Sequence, residues 1–312
     1  MKKSNAKRTV AEIVTDSILA SLEAGVAPWR RPWKSGIPRS LATGKAYRGI
    51  NAFILALAPY SSPYWLTRKQ VEARGGSIRP DQRGKYWPVV FWKFLDDRKD
   101  SADTTVLALT SPSKSRRQSV LMRFYQVYNA DQCEGISVPQ IGLDFEPIER
   151  AAEIVEGMPS RPPIDHGGDV ACYFPRDDRV QMPPAARFRC AEAYYATLFH
   201  ELGHSTGHAS RLARPSVDGV TLPVYGSEDY SKEELVAEMT AAFLSAESGI
   251  DASTQETSVG YIASWLKALA NDRRQIIHAA QAAQRAADFV LGRAVAAAEP
   301  AESDVDTVAE AA

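Results

Sequence analysis

Val10, Ile13, Val14, Ile18 and Leu22 recur at helical spacing and the pattern stops at Gly25, which predicts a first helix over 8–24. The same period returns over 51–58 and 67–74, the second run ended by Gly75 and Gly76. It then gives way to alternating and continuous apolar runs, YWPVVFWKF at 86–94 and SVLMRFYQVY at 119–128, which predict strands, with a short strand at 77–80. A charged tip at 96–103 and a polar, basic loop, SPSKSRRQS at 111–119, fall between the long strands. Gly135, Pro139, Gly142 and Pro147 mark a linker. Beyond it the pattern predicts a helix at 149–157 and a hairpin with strands 171–174 and 179–182. Helices follow from 191, at 231–244, at 259–269 and at 271–291. The Ala, Glu and Asp tail after Gly292 predicts disorder. Such a chain is α+β with two domains: a basic α/β domain over 1–132, a linker over 133–147, a second domain over 148–293 and an acidic tail over 294–312.

Charge sharpens that division. The formal net charge is −1, yet residues 1–132 carry 23 Lys plus Arg against 10 Asp plus Glu, and the remainder carries 14 against 28. A half with a balance of +13 calls for a polyanionic partner. No apolar run is long enough to span a membrane, and the basic residues 1–7 precede no apolar signal segment. Cys133, Cys172 and Cys190 are odd in number and show no C-x-x-C spacing, as expected of thiols in a reducing cytoplasm.

The acidic half carries the chemistry. His200 and His204 stand one helical turn apart with Glu201 between them, the H-E-x-x-H spacing of zinc-dependent hydrolases. Imidazoles four residues apart share a helix face and can approach one tetrahedral ion, while Glu201 reaches a water on that ion. Three of the five histidines fall in this segment, and Tyr195, Leu198, Phe199 and Leu202 give its helix a face to bury. A catalytic site needs a third protein ligand, and Glu234 on the next helix supplies it, with Glu238 four residues on to orient a histidine. Ser231 and Glu234 also have capping-box spacing, so an ordinary helix-capping carboxylate is the competing reading of Glu234. His208 is a rival ligand, ranked below Glu234 as a residue behind the ligands or in the cleft. His166 either polarises a bound carbonyl or is a plain turn residue.

In the basic half, Trp29, Arg30, Arg31 and Trp33 lie together in PWRRPW, followed by Lys45, Tyr47 and Arg48. Cations beside flat aromatics suit single-stranded nucleic acid, whose unstacked bases lie on aromatic faces. Lys114, Arg116 and Arg117 extend the basic set as a loop able to close over a polyanion. The aromatics of 86–94 read as core rather than as base platforms.

LEAGVAPWRRPW (22–33), TGKAYRGIN (43–51) and YWLTRKQ (64–70), with FHELGHSTGH, EELVAEMTAAFL and YIASWLKAL, make the chain resemble the ArdC antirestriction family of conjugative elements. The resemblance covers nearly everything except the tail. It implies a single-stranded DNA-binding N-terminal domain joined to a zincin-like metallopeptidase domain. His200, His204 and Glu234 would hold Zn2+, or another divalent ion such as Mn2+, and Glu201 would act on the water. The partners implied are single-stranded DNA and a protein substrate, a DNA-bound host factor among them, and the role is protection of incoming plasmid DNA from restriction. The alternative is a non-enzymatic coating protein whose metal site is vestigial or structural.

Overall fold

The computed structural model of the chain describes residues 10–25, 27, 29, 36–95, 119–139, 146–217, 227–250, 265–266, 269–270, 272 and 274–295, with the side chains of 10–11, 13–14, 91–95, 119–124 and 228 left aside. The charged tip, most of the basic loop, residues 259–264 and nearly all of the tail lie outside the described residues.

The N-terminal half contains α1 (Val10–Glu23), β1 (Arg39–Ser40), α2 (Ile50–Ala56), β2 (Tyr64–Leu66), α3 (Arg68–Glu72), β3 (Ser77–Ile78), β4 (Trp87–Leu95), β5 (Ser119–Asn129) and β6 (Cys133–Glu134). Thr67 starts α3 through a capping box, its hydroxyl accepting from the Gln70 N–H while the Gln70 side chain accepts from the Thr67 N–H at 2.9 Å. The main sheet has the order β1-β2-β5-β4, with β1 parallel to β2 and the long β4–β5 pair antiparallel from Trp87↔Val127 to Leu95↔Ser119. β6 pairs with β3, so strand pairing in this half runs two residues into the expected linker.

The C-terminal half contains α4 (Pro147–Glu156), β7 (Ile164–His166), β8 (Cys172–Phe174), β9 (Arg179–Met182), α5 (Ala191–Ser205), α6 (Glu228–Ser248) and α7 (Gln275–Val290). The expected hairpin is β8–β9, and β7 adds a third strand parallel to β9. No described helix is long and apolar enough to cross a membrane.

One core joins the halves. Ile18 and Leu22 of α1, Trp29, and Phe53 of α2 are buried in the same cluster as Phe199 of α5, Phe243 of α6 and Ile277 of α7. The Phe53 and Phe243 rings meet at 4.6 Å, and Trp29 stands edge-on to Trp265 at 5.1 Å. A polar tie closes the seam: Arg48 pairs with Asp288 of α7, and the Gly49 N–H donates to Gln284 at 3.0 Å. The apolar faces of α1 and α2 are therefore covered by the helices of the other half as well as by β4 and β5.

Candidate metal centre

α5 presents its histidines from one face: the His200 and His204 rings lie 4.7 Å apart at 81°, with their Nε2 atoms 3.1 Å from each other. Glu234 of α6 faces both, one oxygen 3.5 Å from His200 Nε2 and the other 3.4 Å from His204 Nε2. Donors about 2.0–2.1 Å from a tetrahedral ion sit about 3.3–3.4 Å from one another, so the spacing fits a small divalent cation. The hydrogen-bonding environment agrees. Each Nδ1 faces a carboxylate, Glu233 for His204 at 3.3 Å, within a hydrogen bond, and Glu238 for His200 at 3.7 Å, just beyond one. Both Nε2 atoms are then directed at one point, where a shared cation would take the place of a proton.

Close helix packing makes this convergence possible. A Cβ on Gly203 would lie 3.2 Å from Ala237 Cα and 3.2 Å from Thr240 Cβ, so the glycine inside the motif lets α5 and α6 approach. The start of α6 differs from the expected one. Ser227 is the N-cap, accepting from the Tyr230 N–H, while the Ser231 hydroxyl donates to the Ser227 carbonyl one turn inside. Ser231–Lys–Glu–Glu matches the capping-box pattern better than Ser227 does, but packing starts the helix four residues earlier. Glu234 is thereby carried past the first turn, which excludes the capping reading.

Glu201 is buried, and one of its oxygens accepts the Tyr173 N–H of β8 at 2.8 Å. The Tyr173 hydroxyl donates to Asp178 at 2.8 Å, and Arg211 joins Asp178 to the Ser205 carbonyl at the end of α5. Burial opposes charge on His204, yet its bonds to Glu233 and Glu234 outweigh that and raise its pKa to about 10. Burial likewise disfavours the Glu233 carboxylate, but Arg214 and His204 bring its pKa down to about 2.

His208 does not join the group. Its Nδ1 lies 2.7 Å from Ser210 Oγ and 3.8 Å from Asp178, so it belongs to the loop behind Tyr173 and neither ligates nor backs a ligand. His166 is engaged by Tyr194, ring on ring at 13° with Nε2 2.8 Å from the phenol oxygen. Glu233 is the residue that sequence reasoning missed, and its signal was the Glu233–Glu234 doublet.

One nucleic-acid candidate needs correction. Trp29 is 1% exposed and packed on Trp265, so no base can stack on it. Tyr47 packs against the small cluster of Leu55, Ala58, Trp65, Val89 and Val127, where burial pushes its phenol up to about 12. Arg48 pairs with Asp288 while its side chain stays 53% exposed. Lys45 is exposed, whereas Arg30, Arg31, Trp33, Lys114, Arg116 and Arg117 lie outside the described residues.

Comparison with known proteins agrees with this layout. Residues 8–129 match the family described as the N-terminal domain of anti-restriction factor ArdC, and residues 149–282 match a zincin-like metallopeptidase family. The crystal structure of the antirestriction protein ArdC from the R388 plasmid, metal-free, superposes with a TM-score of 0.69 at 33% identity, over 91% of this chain and 97% of that one. The chain belongs to the ArdC antirestriction family. The Mn(II)-bound form of R388 ArdC gives 0.68 at the same identity, over 91% of this chain and 98% of that one. An uncharacterized Sinorhizobium fredii protein, y4eC, is 37% identical over 90% of this chain and 91% of its own length. Two Escherichia coli proteins named DNA primase TraC are 34% and 37% identical over 91% of this chain, which spans only 20% and 27% of their lengths.

Proposed function

We propose that this ArdC-family chain binds single-stranded DNA through its basic half, and that its other half is a metal-dependent peptidase. Together these protect incoming plasmid DNA from host restriction in the cytoplasm. The observation that carries the reading is the convergence of His200, His204 and Glu234 beside a Glu201 carboxylate held by a backbone N–H.

His200, His204 and Glu234 would hold zinc or manganese, which supplies Lewis acidity towards a carbonyl and lowers the pKa of a water. Tyr173 anchors one Glu201 oxygen and leaves the other to accept a proton and return it to the leaving amine. A DNA partner is supported by the charge of the basic half and by the likeness to proteins named for antirestriction and priming. The described surface offers Lys45, and Arg83 and Lys85 beside the exposed Tyr86, as cations with an aromatic neighbour. A DNA-bound host protein is the peptide substrate proposed, because tethering both to one strand raises the local concentration of the substrate.

The deciding experiment measures restriction of incoming plasmid DNA in cells making the parent chain or Glu201→Ala at matched expression and single-strand affinity. Loss of protection in the variant is expected. Full protection would remove proteolysis from the mechanism and leave DNA coating sufficient.

A further inference from the structure

We propose that Arg214 and Glu233 form a clamp that orients and polarises His204, and that this clamp sets the affinity of the metal site. The inference rests on the metal-site reading above and not on the substrate or on DNA. Glu233 and Glu234 are neighbours on α6, so their side chains leave the helix about 100° apart. Both nevertheless reach one imidazole, Glu234 at Nε2 from 3.4 Å and Glu233 at Nδ1 from 3.3 Å. The ring is held at both nitrogens, which fixes its rotation.

A buried carboxylate is costly unless it is paired and hydrogen-bonded. Glu233 is 1% exposed, and its oxygens accept from Arg214 Nε at 3.1 Å, from a second Arg214 nitrogen and from the Ser216 hydroxyl. Arg214 is itself tied to the end of α5. Its nitrogens donate to Thr206 Oγ1 at 2.6 Å, the Gly203 carbonyl at 2.8 Å and the His204 carbonyl at 3.3 Å. A cation there also suits the negative end of the helix dipole. Gly207 makes the space, since a Cβ on it would lie 2.9 Å from Arg214 and 2.5 Å from Val217.

The two histidines are supported unequally. Glu238 stands 3.7 Å from His200 Nδ1, beyond a hydrogen bond, while Glu233 is closer to its ring and fixed by a guanidinium. An anionic acceptor on Nδ1–H raises the basicity of the opposite nitrogen, so Glu233 strengthens His204 as a ligand and Arg214 keeps Glu233 anionic and aimed. These are positioning residues, acting through His204 and touching no reacting atom.

The test uses the full-length protein, with zinc affinity measured by competition against a chromophoric chelator and Co2+ absorption as the coordination signature. Glu233→Gln is expected to weaken zinc about 10–100-fold and shift the Co2+ bands, and Glu238→Gln to weaken it less. Arg214→Lys, which keeps the charge but not the fork of donors, should weaken zinc too, and the double variant should lose less than the two single losses multiplied. Unchanged zinc affinity and Co2+ bands in a folded Glu233→Gln would overturn the clamp. If that variant fails to fold, the same readouts on Arg214→Lys decide. A His204→Ala chain that binds zinc as tightly as the parent would instead overturn the metal-site reading itself.

Discussion

At Tyr47 two readings of one side chain compete, a stacking platform between Lys45 and Arg48 or a lid on a small core. Its packing on Leu55, Ala58, Trp65, Val89 and Val127 favours the second, and burial pushes the phenol from 10.0 up to about 12. Because the folded-state value is raised, the stabilisation that comes with the protonated phenol is complete below the unfolded value of 10.0 and is lost as pH rises through about 12. The ultraviolet difference between the parent and Tyr47→Phe should therefore show tyrosinate appearing near 12, and a transition near 10 would return Tyr47 to the surface. Asp178 has the opposite sign. Burial raises its pKa, but the bonds from Arg211 and Tyr173 prevail and hold the carboxyl below its ordinary 3.8. Its contribution is present above that value and is lost as pH falls through the lower folded-state pKa. Asp178→Asn should thus flatten the acid limb of a stability-versus-pH curve; an unchanged limb would mean that Asp178 has no such part.

Between elements, the α5–α6 crossing decides whether a motif becomes a site. Gly203→Ala inserts a methyl against Ala237 and Thr240, forcing the helices apart by tenths of an ångström. Overpacking of this kind costs about 1–3 kcal/mol, against about 1 kcal/mol regained from the helix propensity of alanine. The urea midpoint should fall modestly and zinc affinity more clearly, because Glu234 moves with α6; unaltered zinc binding would show that the crossing has slack. The same crossing explains what the sequence could reveal. His200, Glu201 and His204 lie within one turn and a half of helix, so their juxtaposition is a local, periodic fact. Glu234 was found by the ligand chemistry the motif demands, but the start of its helix was misplaced because Ser231 has the better local signature and packing overrode it. Glu233 is absent from the sequence reading because a single orienting carboxylate, Glu238, is sought there four residues from the ligand, and Arg214 reaches Glu233 from a loop. β1 and β7 are two and three residues long, too short for a period to register. Trp29 was misjudged for a different reason: its pocket is built by Trp265, from the far end of the sequence.

Across the whole molecule, opposite charge in the two halves suggested two domains with different partners. The core gives that asymmetry another meaning, because Phe53 of α2 meets Phe243 on the helix that carries Glu233, Glu234 and Glu238, and Arg48 closes on Asp288. Removing residues 133–312 would strip part of the cover from Ile18, Leu22 and Phe53, so the fragment should aggregate or lose its fold. Phe53→Ala tests the shared core without truncation. Loss of a buried phenylalanine costs about 3–5 kcal/mol, and in one cooperative unit that loss reaches the metal site. Hydrogen exchange in α2 and Co2+ absorption at the histidines should then report one unfolding transition, displaced together in the variant. Zinc, binding only the folded chain, should raise that common midpoint in both proteins. Two separated transitions, with Phe53→Ala moving only the first, would show the halves to be independent and the contacts across the seam to be adhesive rather than cooperative.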